Sequence, residues 1–172
     1  QGHIGSIWEN GQYVRTRELR KVKPAFEDLL TRLKTDYIDL GMIHFVDTKE
    51  EFDRVINGEF MEYVRQLKRE GKIRHIGMST HNPETAMMAA KHGEIEMLLF
   101  SINPAFDMMP PVTDLEEYFA ETYEEKLSGI APEREELYKL CEQNRVGITV
   151  MKGYGGGRLF HAQTSPFGVA LT

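Results

Sequence analysis

The chain has 172 residues, of which 41% are hydrophobic and 28% charged, a composition typical of one globular domain with a buried core. Its formal net charge of −6, with basic residues spread along the chain, argues against nucleic acid as the main partner. A single cysteine, Cys141, excludes an internal disulfide, and no apolar run approaches the roughly 20 residues of a membrane helix. We therefore expect a cytoplasmic protein that binds neither nucleic acid nor a membrane.

The first half of the chain is predicted to contain a loop, a helix, a strand and a second helix. Residues 2–13 mix glycine, polar and aromatic residues without a period, which predicts a loop. Apolar residues at helical spacing predict a helix over residues 16–33, which kinks at Pro24 or starts shortly before it. The apolar run 37–45 predicts a buried strand, and residues 52–69 form one long amphipathic pattern that predicts a helix.

The second half continues the alternation with three strands and two helices that begin with proline. They are predicted at residues 73–79, 83–92, 96–102, 132–144 and 147–151. The long connection 108–131 has its own short helical stretch and is of the kind that forms lids or binding loops. Alternating strands and helices predict parallel strands with crossover helices, an α/β fold. A closed barrel and an open doubly wound sheet remain alternatives, and the lack of a GxGxxG motif weakens the second.

Four segments carry a family resemblance. They are LLTRLKTDYIDLGMIHFVD (29–47), EGKIRHIGMSTHNP (70–83), FSINPAFD (100–107) and CEQNRVGITVMKGYGGGRL (141–159). In this order they resemble the aldo-keto reductase family, whose fold is the (β/α)₈ TIM barrel. The resemblance implies that residues 1–172 are a single partial barrel domain holding strands four to seven. Strands one to three would precede Gln1 and strand eight would follow Thr172, since a whole barrel takes about 250 residues.

The resemblance also implies an oxidoreductase that reduces aldehydes or ketones with NADP or NAD as its cofactor. Its small-molecule carbonyl substrate would meet a catalytic tyrosine, lysine, aspartate and histidine at the carboxyl ends of the strands. Only the histidine maps onto this chain, as His44, and the lysine is expected just before Gln1. We therefore expect the isolated chain to be inactive. Some details resemble a subgroup that continues into an iron–sulfur segment, which would lie beyond Thr172.

The cofactor contacts implied by the resemblance follow the later strands. They are Ser79, Thr80, Asn103, Met151, Lys152, Gly153, Gly155, Gly157 and Arg158. Two positions depart from the family, since Thr80 stands where asparagine is usual and Leu99 where many members have glutamine. The glycines allow close backbone approach to a pyrophosphate, although a flexible loop is the alternative. Helix capping is the alternative for residues 79–82, and a turn for Asn103.

Two further functions compete with the reductase hypothesis. One is another TIM-barrel enzyme, a lyase or isomerase with a phosphate site at the glycine cluster. The other is a non-catalytic fragment that self-associates, for example as a homodimer, through open strand edges. Among the remaining residues, Asp47 is predicted to lie in a solvated loop and Cys141 in the core, and no histidines have metal-ligand spacing.

Overall fold

The structure is a computed structural model that describes residues 1–103 and 132–154. The strands in these residues are β1 (Gly2–Ile4), β2 (Ser6–Glu9), β3 (Gln12–Arg15), β4 (Ile38–Ile43), β5 (Ile73–Ser79), β6 (Met97–Ser101) and β7 (Gly147–Met151). The helices are α1 (Leu19–Leu33), α2 (Lys49–Ile56), α3 (Glu59–Arg69), α4 (Pro83–Lys91) and α5 (Pro132–Asn144). None of the helices in the described part of the chain is long and apolar enough to cross a membrane.

Five strands form one sheet in the order β1-β4-β5-β6-β7, and β2 and β3 form a separate two-stranded hairpin. Every neighbouring pair in the five-stranded sheet is parallel, so the predicted α/β fold with crossover helices is confirmed. In the described part of the chain, β1 and β7 are the edge strands of this sheet.

The predicted loop at residues 2–13 is wrong, because these residues form β1 and the hairpin. β1 has only three residues and pairs with β4, with Gly2 opposite Gly41. A Cβ atom at Gly2 would lie 2.7 Å from Leu29 Cδ2, so glycine lets α1 pack closely on this strand. Such a short strand has no readable period. The presence of β1 beside β4 also differs from the prediction, because the family resemblance placed all strands before β4 upstream of Gln1.

The predicted helix over residues 52–69 is also divided. α2 ends at Ile56, and α3 begins at Glu59 after Gly58. A Cβ atom at Gly58 would lie 2.6 Å from the carbonyl oxygen of Arg54, so this close turn requires glycine. The apolar period runs through both helices because both pack on the same core.

One hydrophobic core lies between the helices and one face of the sheet. Alternate strand residues point into it, including Ile4, Ile43, Met78, Leu98 and Phe100, all of which are buried. The helices contribute Val22, Phe26 and Leu30 from α1 and five buried residues from α3. The other face of the sheet is therefore left to carry a site.

Candidate active site

The predicted site residues of the strands share the sheet face that is turned away from the core. Register pairs His3 with Met42, Ser79 with Leu99, and Ser101 with Met151. These residues alternate with the buried core residues of the same strands, so they lie on the opposite face. Because all five strands are parallel, their carboxyl ends meet at one edge. His44, Ser79, Thr80, Asn103, Met151 and Lys152 all lie at this edge or directly after it.

Other predicted positions lie further along the chain. Gly153 follows Lys152, and a Cβ atom added there would meet no atom of the described residues within 4 Å. Gly155, Gly157 and Arg158 lie outside the described residues. The glycine cluster as a phosphate-binding loop therefore stays a prediction.

His44 forms a pair with His3, a residue that the sequence analysis did not identify. The two Nδ1 atoms lie 3.0 Å apart, and the rings meet edge to face with centroids separated by 4.8 Å. The main chain supports the pair, since the amide of His44 donates to the carbonyl of Ile4 at 3.0 Å. His3 became recognisable as a site residue only once β1 was seen beside β4.

Burial and nearby positive charge keep His44 neutral. Burial is the main cause that lowers the pKa of His44 to about 4, and the charges of His3, Arg17 and Arg15 act in the same direction. The pKa of His3 is lowered as well, first by burial. Both rings are thus uncharged at neutral pH.

Two arginines and one glutamate hold the segment that follows β4. Arg15 Nη1 and Arg17 Nη2 donate to the two carboxylate oxygens of Glu51, at 2.8 and 3.0 Å. Arg17 also donates to the carbonyl of His44 at 2.6 Å, and both arginines donate to the carbonyl of Phe45. Since Glu51 is buried on α2, the network ties the hairpin, the helix and the strand end together.

Ser79 supports the same segment from β5. Its Oγ accepts a hydrogen bond from the amide of Phe45 at 2.7 Å. Phe45 has a positive φ of 52°. This backbone conformation is unfavourable for a residue with a large side chain, and the hydrogen bond to Ser79 helps to stabilise it. One hydroxyl lone pair of Ser79 is therefore committed to shaping the turn beside His44.

Asp47 is buried, and its predicted place in a solvated loop is wrong. Its Oδ1 accepts from Thr80 Oγ1 at 2.9 Å and from the amide of His81 at 2.7 Å, while Oδ2 lies 3.1 Å from His81 Nδ1. Burial alone would raise the pKa of Asp47, but the hydrogen bonds from His81 and Thr80 hold it below its usual value. The carboxylate thus joins the ends of β4 and β5.

The residues after β5 also show helix capping. The side chain of Asn82 accepts hydrogen bonds from the amides of Glu84 and Thr85 at the start of α4. The capping interpretation is therefore confirmed for Asn82. The Thr80 hydroxyl donates to Asp47 and accepts from the amide of Asn82, so the proposed cofactor contact of Thr80 would require these bonds to rearrange.

The ends of β6 and β7 are held through backbone carbonyls. Asn103 Nδ2 donates to the carbonyl of Lys152 at 2.9 Å. Arg134 of α5 is buried over the Phe100 ring and donates to the carbonyl of Ser101 at 2.7 Å. No sequence signal distinguished Arg134 from a surface residue of an amphipathic helix.

The described residues contain no group of three or more His, Cys, Asp or Glu side chains placed to hold a metal ion. Cys141 is buried in the core as predicted, and burial raises the pKa of its thiol to about 11. Its chemistry is that of a small apolar residue.

Comparison with known families decides the class of this protein. The model of the aldo/keto reductase family matches residues 9–170. The chain belongs to the aldo/keto reductase family. The resemblance seen in the sequence is thereby confirmed.

Individual relatives of the chain agree with this family assignment. An uncharacterized oxidoreductase of Bacillus subtilis (strain 168), YqkF, is 31% identical over 129 residues, covering 74% of this chain and 39% of the relative. An aldo-keto reductase of Bacillus halodurans in its holo form superimposes with a TM-score of 0.60 and 25% identity, covering 86% of this chain and 40% of that one. An aldo/keto reductase of Klebsiella pneumoniae in complex with NADP and acetate has a TM-score of 0.50 and 19% identity, and the match covers 76% of this chain and 36% of that one.

The chain thus spans well under half the length of these three relatives. The parallel sheet with its covering helices is a partial barrel of the aldo-keto reductase type, as predicted. The iron–sulfur segment stays a prediction.

Proposed function

We propose that this chain is the part of an NAD(P)H-dependent aldo-keto reductase that orients a carbonyl substrate and holds the nicotinamide end of the cofactor. The observation that carries the proposal is His44, a neutral imidazole at the carboxyl end of β4 on the same sheet face as Ser79 and Met151. A neutral imidazole can donate a hydrogen bond to an aldehyde or ketone oxygen without bringing a charge into the site. The setting that we infer is cytoplasmic.

Among the described residues, the hydroxyl of Ser101 fits a contact with a nicotinamide cofactor. Ser101 is fully buried at the end of β6, and its Oγ has no hydrogen-bond partner among the described residues. A buried hydroxyl without a partner costs free energy, which a polar ligand group would recover. Asn103 and Lys152 lie next to it, and Met151 is its partner in β7.

We assign the cofactor contacts accordingly. Ser79 and Asn103 would hold the carboxamide, Met151 would pack on the ring, and the segment from Lys152 through Gly153, Gly155, Gly157 and Arg158 would carry the phosphates. The bound nicotinamide supplies the hydride, and the protein contributes position and electrostatics.

Cofactor titration tests this proposal. Trp8, the sole tryptophan of the chain, lies in the hairpin that follows β1, and its emission overlaps the absorption of NADPH. We expect NADPH or NADH to quench the tryptophan emission of the full-length protein, and the quenching to weaken in the variant Trp8→Phe. Binding of a sugar phosphate without either nucleotide would contradict the reductase and support the lyase or isomerase alternative.

Ser101→Ala is the sharper variant. Because Ser101 Oγ makes no hydrogen bond to another described residue, loss of this buried hydroxyl should leave the variant at least as stable to heat as the wild type. We expect its affinity for the nucleotide to fall roughly 5- to 10-fold, the effect of one hydrogen bond. Unchanged affinity in this variant would remove Ser101 from the site.

We also propose that the chain by itself has no reductase activity, because the resemblance places the family's tyrosine, lysine and aspartate outside it. Turnover of an aldehyde by the 172-residue chain with NADPH would contradict this. The edges of β1 and β7 present unpaired backbone groups in the described structure, which favours a homodimer of the isolated chain through strand pairing. A monodisperse monomer in sedimentation would contradict the dimer.

A further inference from the structure

The contact between His3 and His44 restricts where the hydrogens of both rings lie. Two Nδ1 atoms 3.0 Å apart are at hydrogen-bond distance. Two bare lone pairs would repel each other there, and two N–H groups would collide. One ring must therefore donate from Nδ1 while the other accepts at Nδ1.

This restriction couples the tautomers of the two rings. A neutral imidazole has one N–H, so the ring that donates from Nδ1 has a bare Nε2. The ring that accepts at Nδ1 keeps its hydrogen on Nε2. The pair therefore offers one Nε2 donor and one Nε2 acceptor, and neither ring can change tautomer alone.

The surroundings favour the neutral pair. The charged or titratable side chains that act on the pair are Arg15, Arg17 and His81, while Glu51 binds the two arginines. Together with burial they oppose uptake of a proton by either ring. If both rings became imidazolium ions, each Nδ1 would carry a hydrogen and the hydrogen bond between the rings would be lost. The protonation of one ring is therefore linked to that of the other.

We propose that His3 is a positioning residue that fixes His44 in the tautomer with its hydrogen on Nε2. His3 Nδ1–H donates to His44 Nδ1, and His44 Nε2–H is left to donate to the carbonyl oxygen of the substrate. The direction of the bond rests on the proposed function, since a carbonyl oxygen can only accept. The coupling of the two tautomers rests on the contact alone.

The coupling is measured by long-range ¹H–¹⁵N correlation spectra of the imidazoles, which distinguish a protonated Nδ1 from a protonated Nε2. We expect the wild-type protein to show His3 protonated at Nδ1 and His44 at Nε2. In His3→Leu we expect His44 to become a mixture of tautomers and its pKa to rise. His3→Asn, whose amide nitrogen can donate from a similar place, should restore the Nε2 form.

The control is His75→Asn, which changes an exposed histidine of β5 that contacts Glu96. It should leave the His44 signals unchanged. If His3→Leu fails to fold, the spectra of His3→Asn and of the wild type still show whether His3 fixes the tautomer of His44. The same tautomer in both rings of the wild type, or a His44 signal that His3→Leu does not move, would overturn the proposal.

Activity of the full-length protein supplies the second readout. We expect His3→Leu to lower kcat for aldehyde reduction roughly 10- to 100-fold with little change in nucleotide affinity, and His3→Asn to recover most of it. If the wild type reduces no carbonyl compound but its spectra show coupled tautomers, the proposed function fails and the coupling stands. An active wild type with an equally active His3→Leu variant would refute the positioning role.

Discussion

The two sides of the sheet hold the candidate site by different means. At the β4 side, Arg15, Arg17 and Glu51 form a charged network around the carbonyls that follow the strand. At the β6–β7 side, Arg134 donates to the carbonyl of Ser101, and Asn103 donates to the carbonyl of Lys152. The segment that follows β4 is thus held by two arginines that share one carboxylate, whereas Arg134 and Asn103 bind different carbonyls on the proposed cofactor side. Mutations on the β4 side should therefore lower the free energy of unfolding more than mutations on the β6–β7 side.

Glu51→Ala should have the largest effect on stability. It leaves two guanidinium groups beside each other without their shared carboxylate, and Arg17 is mostly buried. We expect a loss of about 3 kcal/mol in the free energy of unfolding, measured by urea denaturation. Glu50→Ala, on the exposed side of the same helix, is the control and should cost under about 0.5 kcal/mol. Equal losses in the two variants would show that the network does not hold the β4 side.

Arg134→Met should come second. Methionine keeps most of the apolar contact with the Phe100 ring but cannot donate to the carbonyl of Ser101. We expect a loss of about 2 kcal/mol from the carbonyl left without this donor. Lys139→Met on the same helix removes only an exposed ion pair with Glu135, so it is the matched control. A loss as large as that of Glu51→Ala would erase the contrast between the two sides.

The pH dependence of stability probes the β4 side directly. The imidazole of His44 has its ordinary pKa of 6.5 in the unfolded chain and about 4 in the folded protein. The unfolded state therefore binds the proton first as the pH falls, and stability decreases between pH 6.5 and about 4. Because the ring is partly exposed, we expect about 1 kcal/mol from this group.

The variant His44→Asn tests this dependence. Asparagine does not titrate, and it can still contact His3 with its short amide. Urea denaturation at several pH values should show a shallower fall for the variant than for the wild type over this window. Parallel curves would mean that His44 does not carry the effect and that other groups cause the loss.

Sequence patterns predicted the regular parts of the fold and missed what short or buried polar residues decide. The strands at β4 to β7 and the helix α1 have clear apolar periods. β1 has three residues and no period, although Asn10-Gly11 in the missed hairpin is a typical turn signal. Asp47 looked like a loop residue because its partners, Thr80 and His81, follow a different strand.

The same limit explains the site. His44 follows one recognisable strand and Ser79 ends another, so their place at the carboxyl edge was predictable. His3 and Arg134 act through contacts with residues far away in the sequence, His44 and Ser101. Only the three-dimensional register brings such partners together. The family resemblance could not predict these contacts, because a sequence motif identifies single positions and not the residues that lie beside them in the fold.

Asn103→Ala should have the smallest effect on stability and still affect the site. It removes the hydrogen bond to the carbonyl of Lys152, for which we expect a loss of about 1 kcal/mol in urea denaturation. The segment after β7 would lose one anchor, so nucleotide affinity should fall more than stability suggests. Asn144→Ala is the control, because the exposed side chain of Asn144 donates a similar hydrogen bond to the carbonyl of Leu140 within α5, away from the site. If both variants bind the nucleotide equally well, Asn103 does not position the cofactor.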